Sequence, residues 1–517
     1  MCMLIVHPPL TKPCEPPAAL AYLSASLSAH GHLCTICDMN IEGLHYLFDT
    51  TESAEDTWSK RAFKHLKKNI SALQTNDIYQ NTDKYRRAVA DINRVLEIAG
   101  KNSGLLLSLA NYQDDTKSPL KSSDLLSACK EYAKNIFFPY FSKRLDELLE
   151  TKNTLKNARF IGFSLNYLSQ ALCTFAMIGY LKAYHPEVKI ILGGGLVTTW
   201  LSQPQWSNPF AGVVDQLIGG RGEGPLLALL GTQQRSDHIR PIYDQLRNNN
   251  YLSPGFILPY TSSFGCFWKK CSFCPETSED NPYRHVEPNT TIYDLKALTT
   301  ATSPALIHLL DNAVSPSTLK ALADNPLNIP WYGFARIDTL LADLEFCHRL
   351  KSSGCIMLKL GLESGDQDVL DSMHKGINLE LAARVLENLH TAGIATYIYL
   401  LFGTPSEGYE EAMRTLRFVE THHEAISFLN LAIFNLPVSS QEISSLEVSD
   451  FYEGDLSIYR NFAHPKGWNR GEVRRFLDTS FKRSDKIAKI LLNDPPFFTS
   501  NHAPFLINIV TSHWKME

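Results

Sequence analysis

Three cysteines lie within nine residues, in the segment Cys266-Phe267-Trp268-Lys269-Lys270-Cys271-Ser272-Phe273-Cys274. Three thiolates on one short loop can bind a single metal centre, and soft sulfur ligands favour zinc or an iron–sulfur cluster. The other eight of the 11 cysteines are scattered along the chain. An odd total without an export signal fits reduced thiols or metal ligands better than a set of disulfides.

This loop has three interpretations. A structural zinc site needs a fourth Cys or His, usually in a second closely spaced pair, and only His285 stands nearby. A 4Fe–4S cluster held by three cysteines leaves one iron open for a substrate or cofactor. Three unligated thiols are the remaining interpretation. Because the second pair is missing, the spacing favours the cluster, with Cys266, Cys271 and Cys274 as its ligands.

The N-terminal part of the chain has the pattern of a doubly wound α/β domain. Apolar strands at 2–6 and 33–37 enclose a helix, and strands resume at 160–165, 188–192 and 213–218. The last two strands run into glycine-rich turns. Apolar positions recur at helical spacing from about 46 to 155, where few Gly or Pro residues occur. Residues 1–232 are therefore predicted to form a Rossmann-like domain with a helical insertion at about 46–155.

A second α/β pattern follows a polar segment at 233–255 that is typical of a linker. Candidate strands lie at 306–310, 330–334, 356–361, 395–402 and 428–434, and they alternate with helical segments. This pattern predicts a full or partial parallel barrel over 256–440, whose site would lie at the carboxyl ends of the strands. Residues 441–517 form a C-terminal region to which the sequence assigns no role.

Composition and charge exclude several classes of protein. The chain has 517 residues with 44% apolar and 20% charged side chains, which is typical of globular proteins. The net charge of -5 gives no reason to expect nucleic acid as a partner. The longest apolar runs are shorter than the ~20 residues that span a bilayer. The N-terminus lacks the features of a signal peptide, so we expect a cytoplasmic protein without a membrane span.

Three motifs together resemble a known family over residues 2 to about 440. They are the cysteine loop, Gly361-Leu362-Glu363-Ser364-Gly365 and Gly403-Thr404-Pro405-Ser406-Glu407. Their order and spacing are similar to those of radical S-adenosylmethionine (SAM) enzymes that carry an N-terminal cobalamin-binding domain. Four residues separate the first two cysteines, where the superfamily usually has three. Members with a cobalamin domain often have an aromatic pair in this gap, as Phe267-Trp268 is here.

The resemblance implies how SAM is bound and cleaved. The open iron chelates the amino and carboxylate groups of SAM, and one electron from the cluster yields methionine and a 5′-deoxyadenosyl radical. Phe273 would lie near the adenine, and Glu363 and Ser364 would contact the amino-acid or ribose part. For Arg336 an ordinary ion pair is the alternative. The implied SAM-binding residues are Phe273, Asp311, Arg336, Glu363, Ser364 and Gly403.

The resemblance also implies a cobalamin site at the carboxyl ends of the N-terminal strands. The implied residues are Pro8, Ser164, Leu165, Asn166, Gly193, Gly194, Gly195, Gly222 and Glu223. Many cobalamin domains have an Asp-x-His-x-x-Gly loop whose His ligates cobalt, but here the first loop reads His7-Pro8-Pro9-Leu10-Thr11-Lys12. Many relatives in this radical family also lack that loop. A cobalt without a lower His ligand would suit methyl transfer.

The activity implied is methylation of an unactivated carbon through a 5′-deoxyadenosyl radical and methylcobalamin. The alternative is a radical SAM enzyme for rearrangement, cyclisation or oxidation, with cobalamin auxiliary or absent. A non-catalytic sensor of cobalamin or redox state is the third interpretation. Implied partners are a one-electron reductant such as a flavodoxin or ferredoxin, and a small-molecule or peptide substrate that the sequence does not identify. An anaerobic setting is expected because the open iron is sensitive to oxygen.

Overall fold

The structure is a computed structural model that describes residues 2–52, 55–150, 159–204, 206–236, 238–495 and 502–507. These residues fall into two compact units. The first unit comprises 1–256 and 452–458, and the second comprises 257–451 and 459–517. In the described part of the chain, no helix is both long and apolar enough to cross a bilayer.

The first unit is built on a five-stranded parallel sheet. Its strands are β1 (Cys2–His7), β2 (Leu33–Asp38), β5 (Phe160–Ser164), β6 (Lys189–Gly193) and β7 (Gln216–Ile218). They pair in the order β2-β1-β5-β6-β7, with Ile5 opposite Ile36 and Gly162. Because the strand order reverses direction between β1 and β5, the carboxyl ends of these two strands flank a topological switch point, where such sheets bind ligands.

The helices of this unit cover a sheet that must be shielded from water on both faces. They are α1 (Ala18–Ala29), α2 (Met39–Thr50), α3 (Thr57–Leu73), α4 (Thr82–Lys101), α5 (Ser122–Lys130), α6 (Phe138–Glu150), α7 (Leu168–Tyr184), α8 (Gly195–Leu201) and α9 (Glu223–Leu229). Residues 170–181 of α7 are all buried, in keeping with its mostly apolar sequence. The predicted α/β domain is therefore confirmed.

The segment at about 46–155 is mostly but not wholly helical. Between its helices it contains an antiparallel hairpin of β3 (Leu105–Ser108) and β4 (Asn111–Asp114). Alternation of buried and exposed residues along Leu105–Ser108 gives the period of two that a strand requires. Because the preceding residues have helical periodicity, the sequence pattern did not predict this short hairpin. Residues 151–158, also within the predicted insertion, lie outside the described residues.

The polar segment 233–255 lies against the first unit. Tyr251 is buried and its hydroxyl donates to Asp38 at 2.8 Å, while the backbone amide of Leu252 donates to the carbonyl of Pro13 at 2.8 Å. Gln245 exchanges two hydrogen bonds with the backbone of β2. A few buried apolar side chains are enough to hold this otherwise polar segment against the first unit. A composition typical of a linker does not reveal such contacts.

The second unit is built on six parallel strands in consecutive order. They are β8 (Ile257–Tyr260), β11 (Leu306–Leu309), β12 (Trp331–Ala335), β13 (Cys355–Glu363), β14 (Ala395–Phe402) and β15 (Phe428–Ile433). All five candidate strands of this half are present. β8 is a sixth strand that the sequence pattern does not predict. Consecutive parallel strands joined by helices form a partial barrel.

Short elements complete the second unit. The strands are β9 (Ser263–Phe264), β10 (Arg284–His285), β16 (Leu436–Pro437), β17 (Val448–Asp450) and β18 (Tyr459–Phe462). The helices are α10 (Pro275–Ser278), α11 (Pro288–Thr302), α12 (Pro316–Asp324), α13 (Leu344–Ser352), α14 (Gln367–Ser372), α15 (Leu379–Thr391), α16 (Tyr409–Thr421), α17 (Arg470–Phe476) and α18 (Asp485–Leu491).

A 3-10 helix near the C-terminus, Ala503–Leu506, closes the amino-terminal end of the barrel. It packs on residues at or near the starts of the strands, including Ile257, Leu306 and Phe428. The His502 ring lies 4.2 Å from that of Tyr397. Part of the C-terminal region thus belongs to the barrel core, and the opposite, carboxyl ends of the strands carry the candidate site.

Candidate functional site

The cysteine loop connects β9 to β10, which pair as an antiparallel hairpin. Cys266, Cys271 and Cys274 are all half-buried. The backbone amide of Cys274 donates to the carbonyl of Cys271 at 3.3 Å, so the last two cysteines share one turn. The loop holds its thiols without regular secondary structure, and its shape must come from contacts with neighbouring segments.

The segment Met373–Gly376, which follows α14, supplies those contacts. The amide of Ser272 donates to the carbonyl of Met373 at 3.1 Å, and the indole N–H of Trp268 donates to the carbonyl of His374 at 3.1 Å. A Cβ at Gly376 would lie 2.3 Å from the Trp268 ring, so only glycine allows this close approach. The aromatic side chain in the longer gap between the first two cysteines therefore anchors the loop.

Arg336 follows β12 and also contacts Trp268. Its guanidinium lies 3.7 Å from the centre of the indole ring, a cation–π contact, and it donates to the carbonyls of Lys375 and Gly376. The structure thus places this predicted SAM contact where it positions the cysteine loop. Arg336 also forms a hydrogen bond with the Cys271 thiol and lies near the carboxylate of Asp338.

The electrostatic environment of the thiols is mixed. Burial raises the pKa of the Cys274 thiol to about 11 and also raises the pKa of Cys271. The positive charges of Lys375 and Arg336 oppose the shift at Cys271. Bound iron would replace the thiol protons, and the nearby cations would offset the negative charge of thiolate ligands.

Glu363 ends β13 at a shift in the register between β13 and β14, and its φ of 70° lies in the left-handed region. Such a conformation costs about 1–3 kcal/mol for a residue other than glycine and tends to occur at functional sites. Its carboxylate pairs with Lys375 at 2.8 Å, and both side chains are nearly buried. The Lys375 ammonium also lies 5.6 Å from the centre of the Phe273 ring. Glu363, Lys375, Phe273 and the cysteine loop therefore lie together.

Two other predicted SAM contacts are fully buried and already hydrogen-bonded. Asp311 accepts from the hydroxyls of Ser262 and Ser263, both at 2.6 Å, and so fixes the start of the cysteine loop. Ser364 accepts from the amide of Asp366 at 3.1 Å and lies 3.2 Å from the Thr415 hydroxyl of α16. Both side chains therefore support neighbouring turns, and their contact with SAM stays a prediction.

Gly403 follows β14 and donates its N–H to Glu407. Glu407 also accepts from the indole N–H of Trp468 at 3.2 Å, and its second carboxyl oxygen is buried without a hydrogen-bond partner. Burial raises the pKa of Glu407 to about 8. This carboxyl is therefore protonated in the folded chain at neutral pH, and it fixes the turn after β14.

The predicted cobalamin residues follow four strands at the carboxyl edge of the first sheet. The amide of Leu165 donates to the carbonyl of Gly193 at 2.7 Å, and the amide of Gly195 donates to Asn166 at 3.0 Å. Gly194 has a φ of 112°, and a Cβ there would lie 2.3 Å from the carbonyl oxygen of Leu165. The turns after β5 and β6 are thus joined to each other.

The remaining residues of this edge differ in their exposure. The carbonyl of Pro8 accepts from Gln170 at 2.7 Å, and the Ser164 hydroxyl accepts from Asn166 at 3.1 Å. Glu223 is almost buried and pairs with Arg221 at 2.9 Å, while Gly222 precedes α9. Gly195 is exposed, and nothing lies closer than 3.8 Å to a Cβ built on it.

The turn after β6 therefore has room for a Cβ at Gly195, in van der Waals contact with Asn166, at the exposed edge of the sheet. His7 is buried, its Nε2 lies 3.3 Å from the Thr11 hydroxyl, and burial lowers its pKa to about 4.

Comparison with known proteins identifies a domain within the second unit. Residues 260–419, which include all three motifs, match the family model described as the radical SAM superfamily. The C-terminal half of the chain carries a radical SAM domain. Such a domain uses a 4Fe–4S cluster and SAM, and its match covers the cysteine loop, Glu363 and Gly403.

Individual relatives are distant. The anaerobic magnesium-protoporphyrin IX monomethyl ester cyclase of Rubrivivax gelatinosus is 23% identical over 223 residues, which are 41% of this chain and 40% of the cyclase. The structure of the cobalamin-dependent SAM radical enzyme OxsB superposes with a TM-score of 0.51 at 13% identity, over 81% of this chain and 52% of OxsB.

TsrM from Kitasatospora setae, a radical SAM methyltransferase solved with tryptophan substrate and a SAM analogue, gives a TM-score of 0.50 at 15% identity. This alignment covers 86% of this chain and 75% of TsrM. At these identities the likeness is one of fold. The chain spans less than half of the cyclase and about half of OxsB.

The residues present fit a cluster with three protein ligands. Three half-buried thiols on one loop give the sulfur ligands that iron–sulfur clusters require. Among the residues that the structure describes, no group of Cys, His, Asp or Glu is arranged to hold one metal ion. The zinc interpretation needed His285, which is half-exposed and lies 3.3 Å from Glu287. The assignment of the three cysteines as cluster ligands stays a prediction from their spacing.

Sequence reasoning missed two residues of this site. Lys375 lies in a loop after a barrel helix, and nothing in its local sequence marks it as a partner of Glu363. Trp268 was noted only as part of an aromatic pair, and its contact with Gly376 and Arg336 depends on segments about 70 to 110 residues away. Only the tertiary structure brings these segments together.

Replacing Trp268 tests the anchoring of the cysteine loop. Trp268→Ala removes the contact with Arg336 and the hydrogen bond to His374, so we expect iron to be lost to a chelator about tenfold faster. Trp268→Phe keeps a ring but not the N–H and should be intermediate. Trp58→Ala is the matched control, because Trp58 also lies under an arginine, Arg94 at 4.7 Å, in the first unit. Equal iron retention in all variants would refute the anchoring role.

The buried Glu407 predicts a pH-dependent stability. Its folded pKa of about 8 lies above its ordinary value of 4.5, so between about pH 4.5 and 8 the unfolded chain loses this proton before the folded chain does. The contribution of Glu407 to the free energy of unfolding therefore falls as pH rises through this range. Glu407→Gln removes the titration and keeps an oxygen for Gly403 and Trp468.

We expect the Glu407→Gln variant to gain stability relative to the wild type as the pH is raised from 5 to 8, in urea unfolding at fixed temperature. Glu410→Gln, on the exposed side of α16, is the control and should leave the profile unchanged. A difference between Glu407→Gln and wild type that does not vary with pH would show that Glu407 is ionised in the folded chain.

Proposed function

We propose that this chain is a cobalamin-dependent radical SAM enzyme that methylates an unactivated carbon of its substrate. The observation that carries the proposal is the pairing, in one chain, of a radical SAM domain with a sheet of order β2-β1-β5-β6-β7. Glycine-rich turns end β6 and β7 at the carboxyl edge of this sheet, and β1 and β5 flank its switch point. Planar ligands bind at this place in doubly wound sheets.

When bound, the cluster supplies the electron that cleaves SAM, and cobalamin carries the methyl group. Cys266, Cys271 and Cys274 would hold the cluster, while Trp268 and Arg336 keep their loop in place. Glu363 and Lys375 present a carboxylate and an ammonium 2.8 Å apart. This pair is complementary to the amino and carboxylate groups of the methionine part of SAM.

The protein's own residues would also shield the reaction. The Phe273 ring, 5.6 Å from the Lys375 ammonium, would shield the side of the site next to the cysteine loop. Cobalamin would lie along the exposed edge beside Gly195, held from below by the joined turns of β5 and β6. A flavodoxin- or ferredoxin-like electron donor and a cytoplasmic location are parts of the same proposal.

The second candidate is a radical SAM enzyme that cyclises or oxidises its substrate without methyl transfer. The relative from Rubrivivax gelatinosus favours it, because that protein is named a cyclase. The two candidates share SAM cleavage and differ in whether SAM also donates its methyl group.

The products of SAM separate these candidates without knowledge of the substrate. Reduced protein with its cluster should form 5′-deoxyadenosine from SAM, and protein that also holds reduced cobalamin should form about one S-adenosylhomocysteine per cobalamin. Cys271→Ala should abolish 5′-deoxyadenosine because the cluster loses a ligand. Cys347→Ala, a buried cysteine of α13 outside the loop, is the control. Deoxyadenosine without S-adenosylhomocysteine would favour the cyclase-like candidate, and retained cleavage by Cys271→Ala would refute the ligand assignment.

The exposed position of Gly195 makes a separate prediction about cobalamin. A Cβ at Gly195 would meet only Asn166, at 3.8 Å, so we expect Gly195→Leu to be tolerated by the fold and to weaken hydroxocobalamin binding about tenfold or more by steric conflict. Ser28→Leu, at an exposed position of α1, is the control. Equal retention of cobalamin by both variants during gel filtration would contradict a ligand at this edge.

A further inference from the structure

A cavity of about 190 Å³ lies at the carboxyl ends of β14 and β15. Gly403 and Phe434, which directly follow these strands, line it, together with Phe451 and residues between 460 and 473. Reactants of parallel barrels bind at this end of the strands. Most of the lining comes from the C-terminal region to which the sequence assigned no role.

Two arginines, Arg460 and Arg470, line this cavity, and among the described residues that line it there is no Asp or Glu. His464 also lines it, and burial lowers the pKa of its ring below the ordinary value. Arg470 donates to the carbonyl of Phe434 and to Asn435, and this fixes its guanidinium at the end of β15. The His464 Nε2 donates to the carbonyl of Thr404 at 2.9 Å, so this ring holds the wall in place.

Of the two arginines that line the cavity, Arg460 is the one whose ion-pair partner a ligand can replace. It is exposed and pairs with Asp450, whose side chain is 76% exposed. Exposed ion pairs of this kind add little to stability, so a carboxylate from a ligand can replace that of Asp450 at little cost. Because Arg460 already pairs with the carboxylate of Asp450, a carboxylate is the anionic group that it would accept from a ligand.

Aromatic rings form much of the remaining lining. Phe434 and Phe462 meet edge to face with ring centres 5.8 Å apart, and Phe451 lies under Arg470 at 4.9 Å. Trp468 lies beside them. Flat rings are favoured partners for such walls. The volume suits one ring or one arm of a larger molecule, because sites for drug-sized ligands measure roughly 300–1,000 Å³.

We propose that this cavity binds a flat ring that carries a carboxylate, with Arg460 as the residue that recognises the anionic group. Its role as the substrate site rests on the proposed function, since it lies at the reactive end of the barrel. The inference adds a substrate class, an aromatic or similarly flat carboxylate, to an activity whose substrate the motifs do not identify.

Binding of 4-fluorobenzoate, observed by fluorine NMR on the full-length protein, tests the proposal. We expect 4-fluorobenzoate to bind and the neutral 4-fluorobenzamide, which has the same shape, to bind about tenfold more weakly. Acetate should not compete at equal concentration because it lacks the ring. Equal binding of the acid and the amide would overturn the proposal.

Two variants of one ion pair should move the affinity in opposite directions. Arg460→Gln should weaken binding of 4-fluorobenzoate about tenfold, and Asp450→Asn should strengthen it about two- to threefold by removing the competing carboxylate. Arg475→Gln is the control, because Arg475 is an exposed arginine of α17 outside the cavity. Unchanged affinity in both Arg460→Gln and Asp450→Asn would overturn the proposal even if the ligand binds.

SAM cleavage, measured on the same samples, separates this proposal from the proposed function. Cleavage without binding of 4-fluorobenzoate overturns the ring-carboxylate pocket and leaves the radical activity standing. Binding that depends on Arg460, in protein that never cleaves SAM, supports the pocket and contradicts the radical activity.

Discussion

The cysteine loop has no regular structure of its own, yet it must hold three sulfur atoms in fixed positions. Its shape depends on the contacts of Trp268 with Gly376 and with Arg336. Arg336 follows β12 and Gly376 follows α14, so the barrel itself supplies the fixed points. The same segment carries Lys375, which brings an ammonium to Glu363. One packing contact thus joins the candidate cluster ligands to the candidate binding site for the methionine part of SAM.

Both units follow one architectural rule, which is that the carboxyl ends of parallel strands carry the functional turns. In the first unit the turns after β5 and β6 are hydrogen-bonded to each other, and Gly195 lies at the exposed edge. In the second unit the turn after β14 is fixed by the buried carboxyl of Glu407. The amino-terminal end of the barrel is closed by Ala503–Leu506, so the C-terminal region contributes both to the core and to the cavity walls.

The sequence predicts what depends on local pattern. Strand periodicity located the strands of both sheets, apart from β8, and the cysteine spacing marked the loop that the radical SAM match includes. Short elements were harder, as the hairpin β3–β4 shows within a mostly helical stretch. Side-chain roles that depend on contacts between distant segments could not be predicted from the sequence. Asp311 and Ser364 follow barrel strands, and the sequence does not predict their hydrogen bonds to Ser262, Ser263 and Asp366.

The central claim is that one chain uses both a 4Fe–4S cluster and cobalamin. Anaerobic purification with hydroxocobalamin present, followed by iron, sulfide and cobalt analysis and a visible spectrum, tests it most directly. The account predicts about four irons and about one cobalt per chain. Iron without cobalt would contradict the cobalamin assignment, and a protein that holds neither after reconstitution would contradict the account as a whole.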